Sequence, residues 1–341
     1  MSQADFKHTL RQLSFPSCAV EALPRIEHII INRTKQNFAM QLISEFVFME
    51  RTKEGKMALQ VLGAPQMSAF QEFQLILALI EFFAQPRQDS ARNTLLLSLF
   101  GGTITTHRTK ILCKLVSTAV SGSVASLLTS AGAWMQQVGC TTAPSLDVAQ
   151  SLVNDFILFA KRSSEQLKQL PMVAPRFASN FMTAVADLYM KDQSGSLNSP
   201  PEMLLDVFSE WLSENPSLCL ASQQPLALPS GAIAMPVVTP LAGLIRWTVL
   251  APLVSQKSTY SDLHLSLLQA LIQIKSTGPP TALNAQHLSQ IVGPLKVYTK
   301  KKSTEGIEPS DDPCYQKSME RFAQAVQVAL ASKCVYGNIP Q

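Results

Sequence analysis

Apolar residues recur every three to four positions along almost the whole 341-residue chain, the spacing expected of helices that pack through one face. The segment 67–85 shows this most clearly. One of its faces carries Phe70, Phe73, Ile76, Leu77, Ile80 and Phe83, and Leu75, Leu79 and Phe82 lie off that face. Because a helix that is apolar nearly all round belongs inside a protein, we expect this one to be central and buried.

Capping residues and prolines predict where the helices begin and end. Ser68 with Gln71 and Ser199 with Glu202 have capping-box spacing, and Asp312 followed by proline opens a last helix. No run of alternating apolar and polar residues predicts a strand. The sequence therefore predicts an all-α protein. Its other helices are expected over 2–13, 20–36, 38–50, 88–100, 107–120, 123–138, 145–160, 164–170, 175–191, 200–214, 239–251, 260–275 and 283–293.

Short connections between these helices favour antiparallel pairs. Stacked pairs over more than 300 residues are typical of an α-solenoid of the HEAT or armadillo type, here an irregular one because no strict repeat is visible. We expect the solenoid to cover residues 1–295. Residues 296–312 are rich in charge and poor in apolar side chains, which predicts a flexible linker. The helix over 313–334 is then expected to pack back on the solenoid.

Composition excludes several classes of protein. Apolar residues make up 46% of the chain and charged residues only 15%, so the chain is not disordered. Its net charge of +4 is weak for a dedicated nucleic-acid binder, and we expect no direct nucleic-acid contact. The stretches Leu115–Leu146 and Asn215–Ile245 carry no charge, but Ser, Thr and Gly interrupt the first and five prolines the second. We therefore expect buried helix and packed loop, with no membrane span.

The residues that usually carry catalysis lack the spacing that catalysis needs. No two histidines are spaced as metal ligands on a helix, the six cysteines form no zinc-binding pattern, and no nucleophile elbow or phosphate-binding loop occurs. The cysteines are expected to be reduced and mostly buried, as in an intracellular protein. We predict a non-enzyme with no catalytic residue, cofactor, metal or small-molecule substrate.

Two arginines stand in otherwise apolar helical segments. Arg176 and Arg246 each need a carboxylate or helix-end carbonyls as a partner if they are buried. We interpret both as structural ties between helices, with a ligand contact as the alternative. The lysine run Lys300–Lys302 is interpreted as part of the solvated linker rather than as a nuclear-import or phosphate-binding patch.

Several core-helix segments occur in the order in which the Integrator complex subunit 15 family has them, and the chain resembles that family. They are residues 45–48, 70–75, 98–100, 114–116, 174–189, 239–253, 263–269 and 321–328. The resemblance implies an all-helical, solenoid-like, non-catalytic subunit of the nuclear Integrator complex. That complex acts on RNA polymerase II transcripts, in small nuclear RNA 3′-end processing and in transcription termination, with the endonuclease in another subunit.

The resemblance also implies partners. It places the chain in a peripheral module with subunits 10, 13 and 14, and subunit 10 is the first expected partner. A solenoid with so few charges should expose apolar patches that other chains cover, and the two uncharged stretches are candidate contributors. Two other hypotheses remain open, an independent helical adaptor that binds peptides outside Integrator and an enzyme whose site is assembled from distant residues.

Overall fold

The computed structural model describes residues 2–50, 67–102, 105–159, 164–193, 196–219, 239–273 and 285–332. In these residues nearly all regular structure is helical, which confirms the all-α prediction, while the solenoid arrangement stays a prediction. The chain divides into two compact units, one up to Val138 and the other from Gly139 onward. The sequence-based prediction of one body over residues 1–295 did not include this division.

Unit 1 is built from helices whose ends follow the sequence signals closely. A π-helical turn over Ile43–Val47 continues α3 without a break. In the described residues the helices are α1 (Gln3–Gln12), α2 (Ser17–Ile31), α3 (Gln36–Leu42), α4 (Ala69–Ala84), α5 (Asp89–Phe100), α6 (Thr106–Ser121) and α7 (Ala125–Val138).

The core of unit 1 lies between the middle helices. α5 packs extensively against α7, α2 packs against α4 and α5, and α4 packs against α6 and α7. Leu23, Ile26, Phe83 and Trp134 are among its fully buried side chains. Burial of such apolar area is the main contribution to the stability of a unit of this kind.

Unit 2 has more described helices, and their lengths range from 4 to 20 residues. They are α8 (Ala143–Val153), α9 (Ser164–Lys168), α10 (Leu170–Val173), α11 (Pro175–Leu188), α12 (Glu202–Glu214), α13 (Leu241–Leu250), α14 (Thr259–Gln273), α15 (Ala285–Thr304) and α16 (Pro313–Ala331). A π-helical turn over Asn154–Leu158 continues α8, and 3₁₀ turns follow α12, α13 and α15. Two short strands, Asp192–Gln193 and Ser196–Leu197, pair in antiparallel fashion, a feature that the sequence did not predict.

Aromatic residues fill the core of unit 2 where α11, α12 and α13 meet. Neighbouring ring centroids lie between 5.4 and 6.5 Å apart, in stacked, tilted and edge-on pairs that such rings prefer. The cluster consists of Phe177, Phe181, Tyr189, Phe208, Trp211 and Trp247. It joins helices that are distant in sequence into one body.

Two of the three predicted helix starts are confirmed. Ser68 and Gln71 form a reciprocal capping box at α4, and the Asp312 carboxylate accepts from the first backbone N–H groups of α16. Ser199 was predicted as the N-cap of α12, and this is wrong because the helix begins at Glu202 after Pro201. A residue that precedes a proline avoids helical backbone angles, so Pro200 before Pro201 cannot begin the helix.

The predicted linker over 296–312 is only partly irregular. α15 extends to Thr304, so the expectation of non-helical chain over 296–304 is wrong. Leu295 is buried, and the Tyr298 hydroxyl donates to the Asp312 carboxylate at 2.7 Å, which fastens this part of the helix. The flexibility of the remaining residues stays a prediction. α16 packs against α13 and α14, and residues 333–334 of the predicted last helix lie outside the described residues.

Candidate functional site

Arg246 lies in α13 and reaches the carboxyl end of α11. Its guanidinium donates to the backbone carbonyls of Ala186 at 2.5 Å and Tyr189 at 3.4 Å, and to Gln290 Oε1 at 3.3 Å. The neighbouring Trp247 indole also donates to the Ala186 carbonyl, at 3.0 Å. Burial lowers the pKa of Arg246, which is 5% exposed, while the nearby Asp187 carboxylate acts in the opposite direction. The negative end of the α11 dipole also favours the charged guanidinium. The partners are thus helix-end carbonyls rather than a carboxylate.

Arg176 lies far from this contact. It is half-buried in the first turn of α11, whereas Arg246 meets the last turn of the same helix. A helix of 14 residues is about 21 Å long. The structure therefore does not bring the two predicted arginines together into one site, and their role as structural ties stays a prediction for each separately.

Arg108 is a buried arginine that the sequence analysis did not single out. It is 1% exposed in α6, donates from Nε to Glu50 Oε1 at 2.9 Å and from Nη2 to Ser44 Oγ at 3.0 Å, and stacks on Phe48. Its neighbours in sequence are polar, Thr106, His107, Thr109 and Lys110. Its spacing from Ile111, Leu112 and Leu115 places it on the buried face of α6 and was the signal that could have revealed it.

Arg321 and His264 form a second unpredicted polar group, between α13, α14 and α16. Arg321 donates to the Thr248 carbonyl at 2.8 Å and to Ser261 Oγ at 2.6 Å. His264 Nε2 lies 3.1 Å from Gln324 Oε1, and Nδ1 lies 3.2 Å from Thr248 Oγ1. Burial, together with the nearby Arg321 charge, holds the pKa of His264 below its usual value. These contacts join three helices around a buried histidine.

The metal and thiol chemistry of the described residues is limited. They contain no group of three or more His, Cys, Asp and Glu side chains arranged to hold a metal ion. Five cysteine thiols lie in them, and Cys18, Cys140 and Cys219 are buried. Burial raises the pKa of Cys140 to about 12, which keeps this residue an unreactive thiol.

None of the described helices combines the length and the apolar character that a bilayer crossing requires.

The uncharged stretches were expected to contribute to an interface, but their described parts are mainly core. Residues 127–128 and 130–136 in α7 are all buried, as are Leu115, Val116, Ala119 and Val120 of α6. In the second stretch Leu218, Cys219, Leu241 and Leu244 are buried, and residues 220–238 lie outside the described residues. Charge is missing from these described residues because they pack inside their own unit.

The exposed apolar residues concentrate on α4 instead. Phe70, Phe73 and Leu77 are 68%, 55% and 46% exposed, and the half-buried Ile80 and the exposed Ala84 continue the same side of the helix. We call these five residues the α4 face. The opposite side is buried, with Leu75, Leu79, Phe82 and Phe83 in the core. The prediction that this helix is buried all round is therefore wrong, because its neighbours cover only one side.

Neighbouring helices hold the α4 face in place. Lys114 of α6 pairs with Glu72, and Ser126 Oγ of α7 donates to the Phe83 carbonyl at 2.9 Å. The Arg87 guanidinium stacks 3.7 Å above the Phe82 ring and pairs with Glu27 of α2. These contacts and the capping box make α4 a rigid element. Exposed aromatic residues on a rigid element are typical of protein-interaction sites.

Other surface features are smaller. A shallow cleft of about 400 Å³ lies between α1, α2 and α3, lined by residues that include Phe6, Glu21, Arg25, His28 and Phe38. Leu265 and Ile272 form a shorter exposed apolar pair on α14. No other described helix has three large apolar residues exposed on one side as α4 does. The α4 face is therefore the candidate interaction surface.

Comparisons with known proteins agree with the resemblance in the sequence. The family model described as Integrator complex subunit 15 matches residues 4–341, which span both units. Integrator complex subunit 15 of Drosophila melanogaster is 60% identical over 329 residues, covering 96% of this chain and 88% of that protein. The subunit 15 of Homo sapiens is 30% identical over 382 residues, covering 96% and 80%.

Proposed function

The chain belongs to the Integrator complex subunit 15 family, and we propose that it is a non-catalytic scaffold subunit of the nuclear Integrator complex. The observation that carries the proposal is the family match over residues 4–341. Through that complex the chain takes part in small nuclear RNA 3′-end processing and in termination of RNA polymerase II transcription, as the resemblance implies. Its own contribution is to hold other subunits together.

The α4 face supports a scaffold role. A soluble chain that works alone rarely keeps two phenylalanines and a leucine exposed side by side on one helix. The buried arginines support it too, since the donors of Arg108, Arg246 and Arg321 named above bond to protein groups that hold helices together. These polar groups stabilise the helices and leave the exposed surface to make contacts.

The proposed partners are the subunits of the peripheral module. Subunit 10 is the first choice, followed by subunits 13 and 14, on the ground of the family resemblance. An adaptor that binds peptides outside Integrator is the alternative, and an exposed apolar helix face is equally suited to that role.

Affinity purification from nuclear extract tests the proposal. A tagged copy of the full chain is expected to recover Integrator subunits, with subunit 10 enriched above an extract from cells that carry the tag alone. Mass spectrometry reads the result. Recovery of unrelated proteins without any Integrator subunit would favour the adaptor instead.

A further inference from the structure

The α4 face has the dimensions of a docking site for one helix. We propose that it binds a single amphipathic helix of another Integrator subunit, one with apolar residues on one side and a basic residue placed to meet Glu81. This inference rests on the proposed function and names the chemistry of the partner. Phe70 and Ala84 are 14 positions apart, so the face is about 21 Å long, or about four helical turns.

The exposed area indicates a small occupant. With about 200 Å² for a whole phenylalanine side chain, the exposed parts of Phe70, Phe73 and Leu77 add up to about 300 Å². A stable contact between two folded proteins covers about 800 Å² on each partner. The α4 face alone is too small for such a contact, but it matches the apolar side of one short helix, which inserts residues at i, i+3 or i+4, and i+7.

Charge favours a helix of another subunit over a second copy of this chain as the occupant of the α4 face. Glu81 borders the α4 face, and among the described residues it forms no ion pair. α4 contains two glutamates and no basic residue, so a second α4 would bring a glutamate and no cation. A lysine or arginine on the partner helix would pair with Glu81 and fix its direction and register.

The helix is ready to bind without rearrangement. The contacts of Glu72, Phe82 and Phe83 with α6, α7 and the residues after α4 fix it along its whole length. Little conformational entropy is lost when a fixed surface binds, so a small contact area suffices for specific binding.

Site-specific crosslinking identifies the occupant. A photoreactive phenylalanine analogue replaces Phe73 in the tagged full chain, and the crosslinked peptide is sequenced after purification of the complex from nuclei. We expect a peptide of another Integrator subunit with apolar residues at helical spacing and a lysine or arginine near them. A crosslink to a second copy of this chain, to a peptide without this pattern, or to nothing overturns the inference.

Variants of the full chain test the same surface through assembly. The double change Phe70→Ser and Phe73→Ser is expected to lower recovery of the crosslinked subunit about tenfold or more, since exposed aromatic anchors dominate small interfaces. Phe159→Ser is the matched control, because Phe159 is 80% exposed in unit 2. Circular dichroism must show unchanged helix content in both. Equal loss with Phe159→Ser, or no loss with the double change, contradicts the inference.

A charge exchange tests the role of Glu81. Glu81→Lys is expected to weaken the contact, and a glutamate in place of the basic residue of the crosslinked peptide is expected to restore it. Failure of that rescue overturns the predicted pairing. The outcome for the proposed function is read separately from wild-type protein. If the wild-type chain recovers no Integrator subunit, the proposed function fails. If the wild-type chain and the α4 variants recover Integrator subunits equally well, only this inference fails.

Discussion

Single residues show two ways of accommodating a buried guanidinium. Arg108 in unit 1 has a carboxylate partner, Glu50, as buried charges usually do. Arg246 in unit 2 has backbone carbonyls at the end of α11, where the helix dipole supplies partial negative charge. Removing Arg246 takes a donor away from these carbonyls but leaves no unpaired ion, and Trp247 still donates to the Ala186 carbonyl. The loss is therefore less costly than breaking a buried ion pair.

Arg246→Leu is expected to lower the free energy of unfolding by about 1–3 kcal/mol, because carbonyls of Ala186 and Tyr189 lose a donor. That is below the ~3–5 kcal/mol of a broken buried ion pair. Urea unfolding measures the difference. Arg25→Leu is the control, since Arg25 is exposed on α2 and its loss should change stability by less than about 0.5 kcal/mol. Equal stability of the two variants would show that Arg246 contributes nothing as a tie.

Gly243 allows α13 to approach α11 closely. A Cβ atom at this position would lie 2.5 Å from the Ala186 Cβ, a distance that the two helices cannot keep. Gly243→Ala is expected to cost about 1–3 kcal/mol of unfolding free energy through overpacking. Gly293→Ala is the control in α15, where nothing lies within 4 Å of an added Cβ atom. The helix propensity of alanine and the crowding of its Cβ by Pro294 act in opposite directions, so this change should alter stability by less than about 1 kcal/mol. A stabilised Gly243→Ala variant would contradict the close packing.

At the level of helices, the junction of α13, α14 and α16 depends on a neutral histidine. His264 faces Thr248 from α13 and Gln324, Glu320 and Arg321 from α16. Its pKa is lowered chiefly by burial, and a proton on it would place a second cation near Arg321. The folded state therefore binds this proton less readily than the unfolded chain.

Stability is expected to fall as the pH is lowered below about 6.5, the usual histidine value, because the unfolded chain then takes up a proton that the fold disfavours. The contribution is fully present above that pH. His264→Gln should reduce the loss between pH 7.5 and 5.5 by about 1 kcal/mol, measured by denaturant unfolding at each pH. The pKa of His287 is lowered by burial and by Arg246, so His287 contributes part of the pH dependence of stability that remains in the variant. The same change of unfolding free energy with pH in wild type and His264→Gln would contradict this role of His264.

The connection between α15 and α16 should be cut at its acidic part. Glu305 and Glu308 are exposed beyond the last turn of α15, whereas Lys300 and Lys301 lie inside the helix. Since proteases need locally unfolded chain, a glutamate-specific protease should cleave after Glu305 faster than trypsin cleaves at the two lysines. The bond after Glu308 is not a substrate because Pro309 follows it. Mass spectrometry of the fragments gives both rates. Faster cleavage at the lysines would mean that the end of α15 is frayed.

Sequence periodicity predicted the helices well because each must bury an apolar side against its neighbours. Periodicity did not show which side of α4 stays uncovered, because Phe70 and Phe82 have the same hydropathy. It also could not show that Tyr298 would contact Asp312 or that Arg246 would meet α11 residues about 60 positions away. Such partners are fixed by the packing of distant helices. The sequence therefore predicted an exposed apolar patch without showing that α4 would carry it, and the contribution of the two uncharged stretches to an interface stays a prediction.

For the whole molecule, the α4 face predicts self-association of the isolated chain. Only 15% of the residues carry charge, so little repulsion opposes contact between exposed apolar surfaces. The double variant Phe70→Ser and Phe73→Ser should remain monodisperse at a higher concentration than wild type, as measured by light scattering after size-exclusion chromatography. An unchanged aggregation threshold would place the cause on another surface, and the Phe159→Ser protein provides the comparison.

The exposed phenylalanines of α4 have a consequence for how much of the protein a cell keeps. A copy made in excess of its partner leaves these aromatic residues accessible to chaperones and proteases, which also bind the aromatic residues of incompletely folded proteins. Such orphan copies should be degraded while assembled ones survive. The cellular amount of this chain is then expected to follow the supply of its binding partner rather than its own rate of synthesis.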